Sequence, residues 1–245
     1  MKLRTRVLPL LACLLPLTFP AAQASESMSR GDVEKIVHDY MLAHPELLID
    51  MSNALRAKQE AQQQQADVTL IQQNKKALFE QANDPVGGNA KGTVTVVEFF
   101  DYNCGYCKRS QSLVEQLVAT NKDVRYIYKE FPILTETSLT AAKAALAVSS
   151  LHPDKYVAFH NALMNHQGPF KDAKDLEAIA KKQGLSWPAL EKKMQDPAIS
   201  QQLADNQKLA QALGLTGTPA FVINNSILRG APRTMDDLND AIKAK

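Results

Sequence analysis

The chain has few cysteines, and their scarcity limits the roles they can have. Only three occur in 245 residues, at positions 13, 104 and 107. Three cysteines cannot form the multiple crosslinks that hold a small disulfide-rich domain together. A bond between Cys104 and Cys107 would close a very short loop and remove little chain entropy, so it would add little stability. This pair is better explained by chemistry than by stabilisation.

A large excess of charge of one sign is also missing. The chain holds 28 Lys and Arg against 26 Asp and Glu, a formal net charge of +2. Residues 1–24 contain three basic residues and no acidic ones, so the remainder carries a net charge of −1. A nearly neutral chain offers no electrostatic reason to bind nucleic acid or an anionic membrane. We therefore expect no nucleic-acid partner.

Long apolar runs are absent after the first two dozen residues. Residues 7–19 are almost wholly apolar, follow three basic residues and precede Ala-Gln-Ala at 22–24. The run is too short to span a bilayer comfortably, and the small residues suit a signal peptidase. We predict that residues 1–24 are a secretory signal peptide and that the protein is periplasmic. A retained membrane anchor is the alternative.

Residues 25–82 have the pattern of a polar, helical region. Leu47, Leu48, Met51 and Leu55 form an apolar stripe at helical spacing. Such a region either packs on the main domain or meets copies of itself, because a lone helix cannot bury its stripe. We predict an oligomerisation region here. The turn-forming residues that follow predict a linker at 83–92.

Residues 93–245 are predicted to form one α/β domain. A β-branched and aromatic run at 93–100, a helical pattern at 108–120 and a second strand at 124–129 make a βαβ unit. Residues 137–213 carry helical patterns. Two short apolar runs then flank Asn224-Asn225, which predicts a hairpin, and a closing helix follows at 235–242. The predicted order is βαβ, a helical insertion and ββα, a thioredoxin-like fold.

Cys104 and Cys107 stand where the first strand gives way to the first helix of that domain. Unpaired N–H groups and the helix dipole at this point would stabilise a Cys104 thiolate. A thiolate attacks disulfides, and Cys107, one turn later, could resolve the mixed disulfide. A zinc site is the main alternative, but no second Cys pair supplies its remaining ligands. We predict Cys104 as nucleophile and Cys107 as resolving thiol.

Three further residues are candidates for the same site. Thr218-Pro219 precedes the third strand, and in a thioredoxin-like order of elements it suggests a cis peptide facing the cysteines, with Thr218 free to pair with a substrate backbone. Glu98 is a carboxylate in an otherwise apolar strand. Burial would raise its pKa and let it exchange a proton with Cys107. The alternative for Glu98 is a solvent-facing edge.

The run VEFFDYNCGYC at 97–107 resembles the active-site stretch of bacterial DsbA-like thioredoxin-fold proteins. The resemblance extends over about residues 90–245. It places Pro219 at the family's cis-proline and Glu98 where relatives keep a buried acid, and it includes KEFP at 129–132. It implies a thiol–disulfide oxidoreductase that needs no cofactor or metal beyond its own dithiol.

Two details are similar to particular subgroups of that family. Gly105-Tyr106 between the cysteines and Thr218 before the proline are the choices of the disulfide isomerase DsbC. Residues 32–82 resemble the N-terminal oligomerisation segments of ScsC-like proteins. The resemblance therefore implies a dimer or trimer that isomerises or oxidises disulfides in unfolded or misfolded exported proteins. It also implies a membrane redox partner of DsbB or DsbD type.

Other functions remain open at this point. A dedicated disulfide-forming oxidase uses the same cysteines in one direction only. A periplasmic chaperone with a vestigial site would not need them, and a copper-binding protein would use the two thiolates as ligands.

Overall fold

The computed structural model describes residues 28–243, so the predicted signal peptide lies outside the described residues. The chain divides into two compact units with the boundary between Leu55 and Arg56. Between residues 28 and 243, no helix combines the length and apolarity that crossing a membrane requires.

The described part of the first unit, residues 28–55, contains α1 (Arg30–Ala43) and the beginning of α2 (Glu46–Gln73). Ser29 caps α1: its hydroxyl accepts from the Asp32 N–H, and the Asp32 carboxylate accepts from the Ser29 N–H. None of the α1 side chains is buried. None of the large apolar side chains in residues 28–55 is buried, and Leu47 is half-buried. The others are exposed: Met28, Val33, Ile36, Val37, Tyr40, Met41, Leu42, Leu48, Ile49, Met51 and Leu55.

The later part of α2 and α3 (Lys75–Phe79) belong to the second unit and are packed into it. Ile71 and Leu78 are core residues there. Asp67 is buried and receives two 2.8 Å hydrogen bonds from the Arg229 guanidinium. The prediction that 25–82 is one oligomerisation region therefore needs correction, because its last part completes the core of the following domain. The helical periodicity of apolar residues shows that α2 has an apolar face, but it does not show which part of that face packs on the domain.

The second unit is built on a five-stranded sheet in the order β1-β3-β2-β4-β5. β2 and β3 are parallel and are joined by a crossover helix, α4, as parallel strands require. The other pairs are antiparallel. The elements are β1 (Val86–Gly88), β2 (Val94–Phe100), α4 (Gly105–Thr120), β3 (Val124–Glu130), β4 (Ala220–Ile223) and β5 (Ser226–Arg229).

The segment predicted as a linker, 83–92, contains the edge strand β1 instead. Val86 pairs with Ile127, and the buried Asp84 forms an ion pair with Lys129. A Cβ on Gly87 would lie 2.8 Å from the Tyr128 hydroxyl, so glycine is what allows this close approach. The turn-forming residues of this segment led to the linker prediction, because a strand of only three residues is too short to show a strand pattern.

Helices cover both faces of the sheet, and alternating residues of each strand enter two separate cores. Val96 and Phe100 of β2 face one core, and Val97 and Phe99 face the other. The predicted insertion and closing helix are present, so the predicted fold is confirmed. These helices are α5 (Glu136–Leu151), α6 (Tyr156–Met164), α7 (Ala173–Lys182), α8 (Trp187–Met194), α9 (Pro197–Ala212) and α10 (Met235–Lys243), with a 3₁₀ turn at Pro153–Lys155.

Candidate active site

Cys104 occupies the N-cap of α4, at the carboxyl end of β2. A hydrogen bond from the Cys107 thiol is the main cause that lowers the pKa of Cys104 to about 5. The Thr218 side chain and the backbone N–H groups of Cys107 and Tyr106 lower it further, while burial opposes them. The first turn of the helix thus provides the anion-stabilising groups that the sequence predicted.

Cys107 has the opposite electrostatic environment. Its side chain is only 1% exposed. Burial raises the pKa of the Cys107 thiol far above its ordinary value, and the nearby Cys104 and Glu98 charges raise it further. One sulfur of the pair is therefore ionised at neutral pH, and the other keeps its proton.

The structure brings the predicted proline loop against the cysteines. The Thr218–Pro219 peptide is cis. The Cys104 Sγ lies 3.2 Å from the Thr218 carbonyl oxygen, which is 114 residues away in sequence and accepts a hydrogen bond from Cys104 in its thiol form. Gly230 N–H donates to the Pro219 carbonyl at 2.9 Å and ties the loop to the end of β5.

Glu98 is buried inside the sheet, which excludes the solvent-facing alternative. Its carboxylate is 1% exposed and accepts a 2.7 Å hydrogen bond from the Tyr126 hydroxyl. Burial outweighs that bond, and with the negative charge of Cys104 it raises the pKa of Glu98 to about 7. A carboxyl group with this pKa can both hold and release a proton near neutral pH.

A second buried carboxyl group was not predicted from the sequence. Glu130 Oε1 accepts hydrogen bonds from the hydroxyls of Tyr102, at 2.9 Å, and Tyr156, at 3.0 Å. The Tyr102 hydroxyl also lies 3.1 Å from His160 Nδ1. Burial raises the pKa of Glu130 well above its ordinary range and lowers the pKa of His160 to about 3. The cluster is therefore uncharged, and it holds Tyr102 two residues before the nucleophile.

Sequence offered one signal for this cluster, because Glu130 ends an apolar strand as Glu98 interrupts one. His160 gave none, since a histidine in a helix is ordinary. The three aromatic residues near the cysteines differ in their exposure to solvent. Tyr102 and Phe131 are core residues, whereas Tyr106 is 61% exposed. Of these three aromatic residues, only Tyr106 offers an apolar surface to another chain.

Asp101 fixes the turn that leads into Cys104. Its Oδ1 accepts from the Asn103 N–H at 2.8 Å. Its Oδ2 accepts from the N–H groups of Ile133, at 2.9 Å, and Leu134, at 3.0 Å. The turn before the cysteines is thereby bound to the loop after β3, which limits how far Cys104 can move.

Metal-binding geometry is not found in the described part of the chain. Within residues 28–243, no three His, Cys, Asp or Glu side chains converge in a way that could hold a metal ion. The arrangement offers one ionised sulfur, one protonated sulfur, a titrating carboxyl group and the half-buried Thr218 beside the first sulfur. Such a set can exchange sulfur–sulfur bonds with an extended chain.

The family described as the DSBA-like thioredoxin domain matches residues 95–243. The chain belongs to this family. The N-terminal domain of the copper resistance protein ScsC matches residues 30–62, which contain α1 and more than half of α2. This DsbA-like chain therefore contains two family segments, one that ends at residue 62 within α2 and one that begins at residue 95 within β2.

Solved structures agree with that assignment. A thioredoxin-like oxidoreductase from Silicibacter pomeroyi DSS-3 is 42% identical over 69% of this chain and 96% of its own, with a TM-score of 0.66. The thiol-disulfide exchange protein α-DsbA2 from Wolbachia pipientis is 33% identical over 74% and 96%, with a TM-score of 0.69. Proteus mirabilis ScsC in a compact conformation is 32% identical over 87% and 96%, with a TM-score of 0.66.

Curated relatives include much longer proteins. The Na⁺/H⁺ antiporter NhaA 3 of Salinispora tropica is 26% identical over 159 residues, and the chain spans about a quarter of its length (24%). The likeness to that protein is therefore confined to a part of it.

Proposed function

We propose that this DsbA-like chain is a protein thiol–disulfide oxidoreductase that acts through Cys104 and Cys107. One observation carries the proposal: the Cys104 sulfur has a pKa of about 5 and lies 3.2 Å from the Thr218 carbonyl of the cis-proline loop, while Cys107 is protonated and buried. Only Cys104 can attack, and an extended client strand can pair beside it.

In the reducing direction, the Cys104 thiolate attacks a client disulfide and forms a mixed disulfide, and the departing client sulfur takes up a proton. Cys107 then loses its proton, attacks Cys104 and releases the second client thiol. Two electrons pass from the Cys104–Cys107 dithiol to the client. We assign to Glu98 the acceptance of the Cys107 proton, because its charge acts on Cys107 and its pKa is about 7.

The reverse sequence oxidises a client dithiol. A client thiolate attacks the Cys104 sulfur of the intramolecular disulfide, and Cys107 leaves and recovers a proton from Glu98. A second client thiolate then attacks the client sulfur of the mixed disulfide. Cys104 departs as a thiolate, which its low pKa favours. In isomerisation, the Cys104 thiolate first breaks a wrong client disulfide and forms the mixed disulfide. Another cysteine of the same client then attacks the client sulfur and displaces Cys104 as a thiolate, so the protein returns to its reduced state with no net electron transfer.

We infer that the protein isomerises as well as oxidises, and that it does so as a self-associated periplasmic protein. The exposed apolar side chains of α1 and the first part of α2 support self-association, since they have no cover in their own unit. Two or more sites in one assembly can hold a misfolded client while its disulfides rearrange. Recharging would fall to a membrane redox protein of DsbB or DsbD type.

Replacement of Cys107 by Ala tests the assignment of roles. The Cys107→Ala variant should accumulate mixed disulfides between Cys104 and exported client proteins, visible on non-reducing gels, because no resolving thiol remains. The Cys104→Ala, Cys107→Ala double variant is the matched control and should give none. Equal adducts in both variants, or none in either, would refute the assignment.

Refolding of a scrambled multi-disulfide protein separates isomerase from oxidase. We expect the reduced wild-type protein to restore native disulfides in catalytic amount. If the protein rapidly oxidises a reduced client but does not restore the native disulfides of the scrambled client, the isomerase assignment is refuted and only the oxidase assignment remains.

A further inference from the structure

An open groove of about 760 Å³ lies between the first turns of α4 and the loop of the cis-proline. One wall is the exposed face of α4, and the other is the loop that follows β5. Thr218, whose carbonyl accepts from Cys104, is among its lining residues. Those residues are Tyr106, Arg109, Ser112, Leu113, Thr218 and 230–233.

Arg109 places a positive charge over the two residues that separate the cysteines. Its guanidinium carbon lies 4.1 Å from the centre of the Tyr106 ring, a stacking distance. A Cβ on Gly105 would lie 3.6 Å from its Nη1, so the guanidinium also covers that glycine. The cation is therefore held against the residues between the two cysteines, although its side chain is exposed.

The Arg109 charge does not serve the ionisation of Cys104. It is not among the groups that lower the pKa of Cys104. Between residues 28 and 243, no carboxylate lies within 4 Å of its guanidinium, whereas Arg229 is fully paired with Asp67. A fixed cation with no carboxylate of its own, at the edge of a groove, is available to a bound chain.

Arg233 adds a second, weaker charge on the opposite wall. Its own N–H and that of Thr234 donate to the Asp237 carboxylate at 2.6 Å and 3.1 Å. That carboxylate stays ionised, since these bonds lower its pKa, and it offsets part of the Arg233 field. Arg109 is therefore the dominant charge of the groove.

We propose that this groove selects extended client segments that carry a carboxylate within a few residues of the reacting cysteine, with Arg109 as the main contact and Arg233 as the second. The proposal rests on the proposed function. A segment paired along Thr218 presents alternate side chains to the same wall, so an acidic residue two positions from the cysteine can reach the guanidinium.

Three peptides with a single cysteine test the selection, with Glu, Gln or Lys two residues from that cysteine. The second-order rate of each with the oxidised protein is divided by its rate with the uncharged 2-hydroxyethyl disulfide, which removes intrinsic differences in thiol reactivity. We expect the Glu peptide to react about 10-fold faster than the Lys peptide at low ionic strength. The difference should shrink in 0.5 M salt, because a solvent-exposed cation is screened.

Charge reversal locates the selection. Arg109→Glu should invert the preference, and Arg233→Glu should reduce it by a smaller factor. Lys91→Glu makes the same change in net charge on an exposed residue before β2, at the end of that strand remote from Cys104, and should leave the preference unchanged.

Two outcomes would overturn the groove assignment. One is equal normalised rates for the three peptides with the wild-type protein, and the other is an equal shift by Arg109→Glu and Lys91→Glu, which would indicate only a diffuse field. Both leave the proposed function standing, because the peptides still react. Failure of the wild-type protein to react with any peptide would instead refute the proposed function.

Discussion

The two units of the chain differ in the burial of their large apolar side chains. In residues 28–55, none of the leucines, isoleucines and methionines is buried, and Leu42 is 69% exposed. In residues 56–243, such residues fill two cores, and Leu163 is wholly buried. Each leucine or isoleucine left in water forgoes about 1.5–3 kcal/mol of burial free energy. The first unit is thus incomplete by itself, whereas the second supplies both its own core and its chemistry.

α2 contains this contrast within one helix. Met51 and Leu55 near its beginning are exposed, while Ile71 near its end is a core residue and Asp67 is held by Arg229. Removal of all residues to 82 would therefore take away part of the catalytic core. Point substitutions in α1 and early α2 test the first unit without that damage.

The largest expected effect concerns the ionisation of Cys104, a property of the second unit alone. With a pKa of about 5, Cys104 should be alkylated by iodoacetamide with a midpoint near pH 5 and a plateau from pH 6 to 8. A free cysteine is only roughly 0.3% thiolate at pH 6, so the thiolate fraction differs by about 300-fold.

The Leu48→Glu variant sharpens this comparison, since that residue is exposed in the first unit. Its alkylation profile should coincide with that of the wild type. A midpoint near pH 8.5 in both proteins would remove the basis of the proposed chemistry.

The next effect is the pH dependence of stability caused by Glu98 in the reduced protein. Its folded pKa of about 7 lies above the ordinary 4.5, so the folded state binds more protons between these pH values. The free energy of unfolding should therefore fall as pH rises from about 4.5 to 7, by about 3 kcal/mol from this group, and level off above. Urea unfolding of Glu98→Gln should lack this component.

The Tyr126→Phe variant is a control for which the direction of the change in the Glu98 pKa is known. It removes the hydrogen bond that lowers the pKa of Glu98, so the decline in stability should continue to higher pH than in the wild type. Identical pH profiles for the wild type and Glu98→Gln would show that the carboxyl group titrates normally.

The smallest expected change concerns the first unit and is a change in the mass of the protein assembly in solution. Ile36→Glu with Leu48→Glu places charges on the exposed apolar surface. Charged side chains oppose the burial of that surface, so sedimentation should show the mass falling two- to threefold to that of a single chain. Rescue of scrambled clients should fall with it, while peptide oxidation continues.

Glu34→Gln with Lys35→Gln changes polar residues of α1 and is the matched control; its mass should not change. If the doubly charged variant keeps the wild-type mass, self-association through this unit is refuted.

Short-range patterns predicted most of the elements and the core of the site. Cys104 and Cys107 at a strand-to-helix junction, the hairpin at Asn224-Asn225 and the helical insertion follow from spacing and periodicity, which depend on neighbouring residues. The linker prediction at 83–92 was wrong because three residues are too few to show a strand pattern, and β1 exists only through its pairing with β3.

Sequence by itself determined the pair of sulfurs, the helix that begins at them and the order of strands around them. Tertiary structure alone decided that Thr218 reaches Cys104 across 114 residues, that Glu98 is buried beside Tyr126, and that Glu130 and His160 lie beneath Tyr102. It also decided which apolar stripe is covered. The reason is physical. Local propensity acts over a few residues, and the helix N-terminus that it creates already supplies most of the groups that lower the pKa of Cys104. Burial, which raises the pKa of Cys107, Glu98 and Glu130, depends instead on which distant segments pack together.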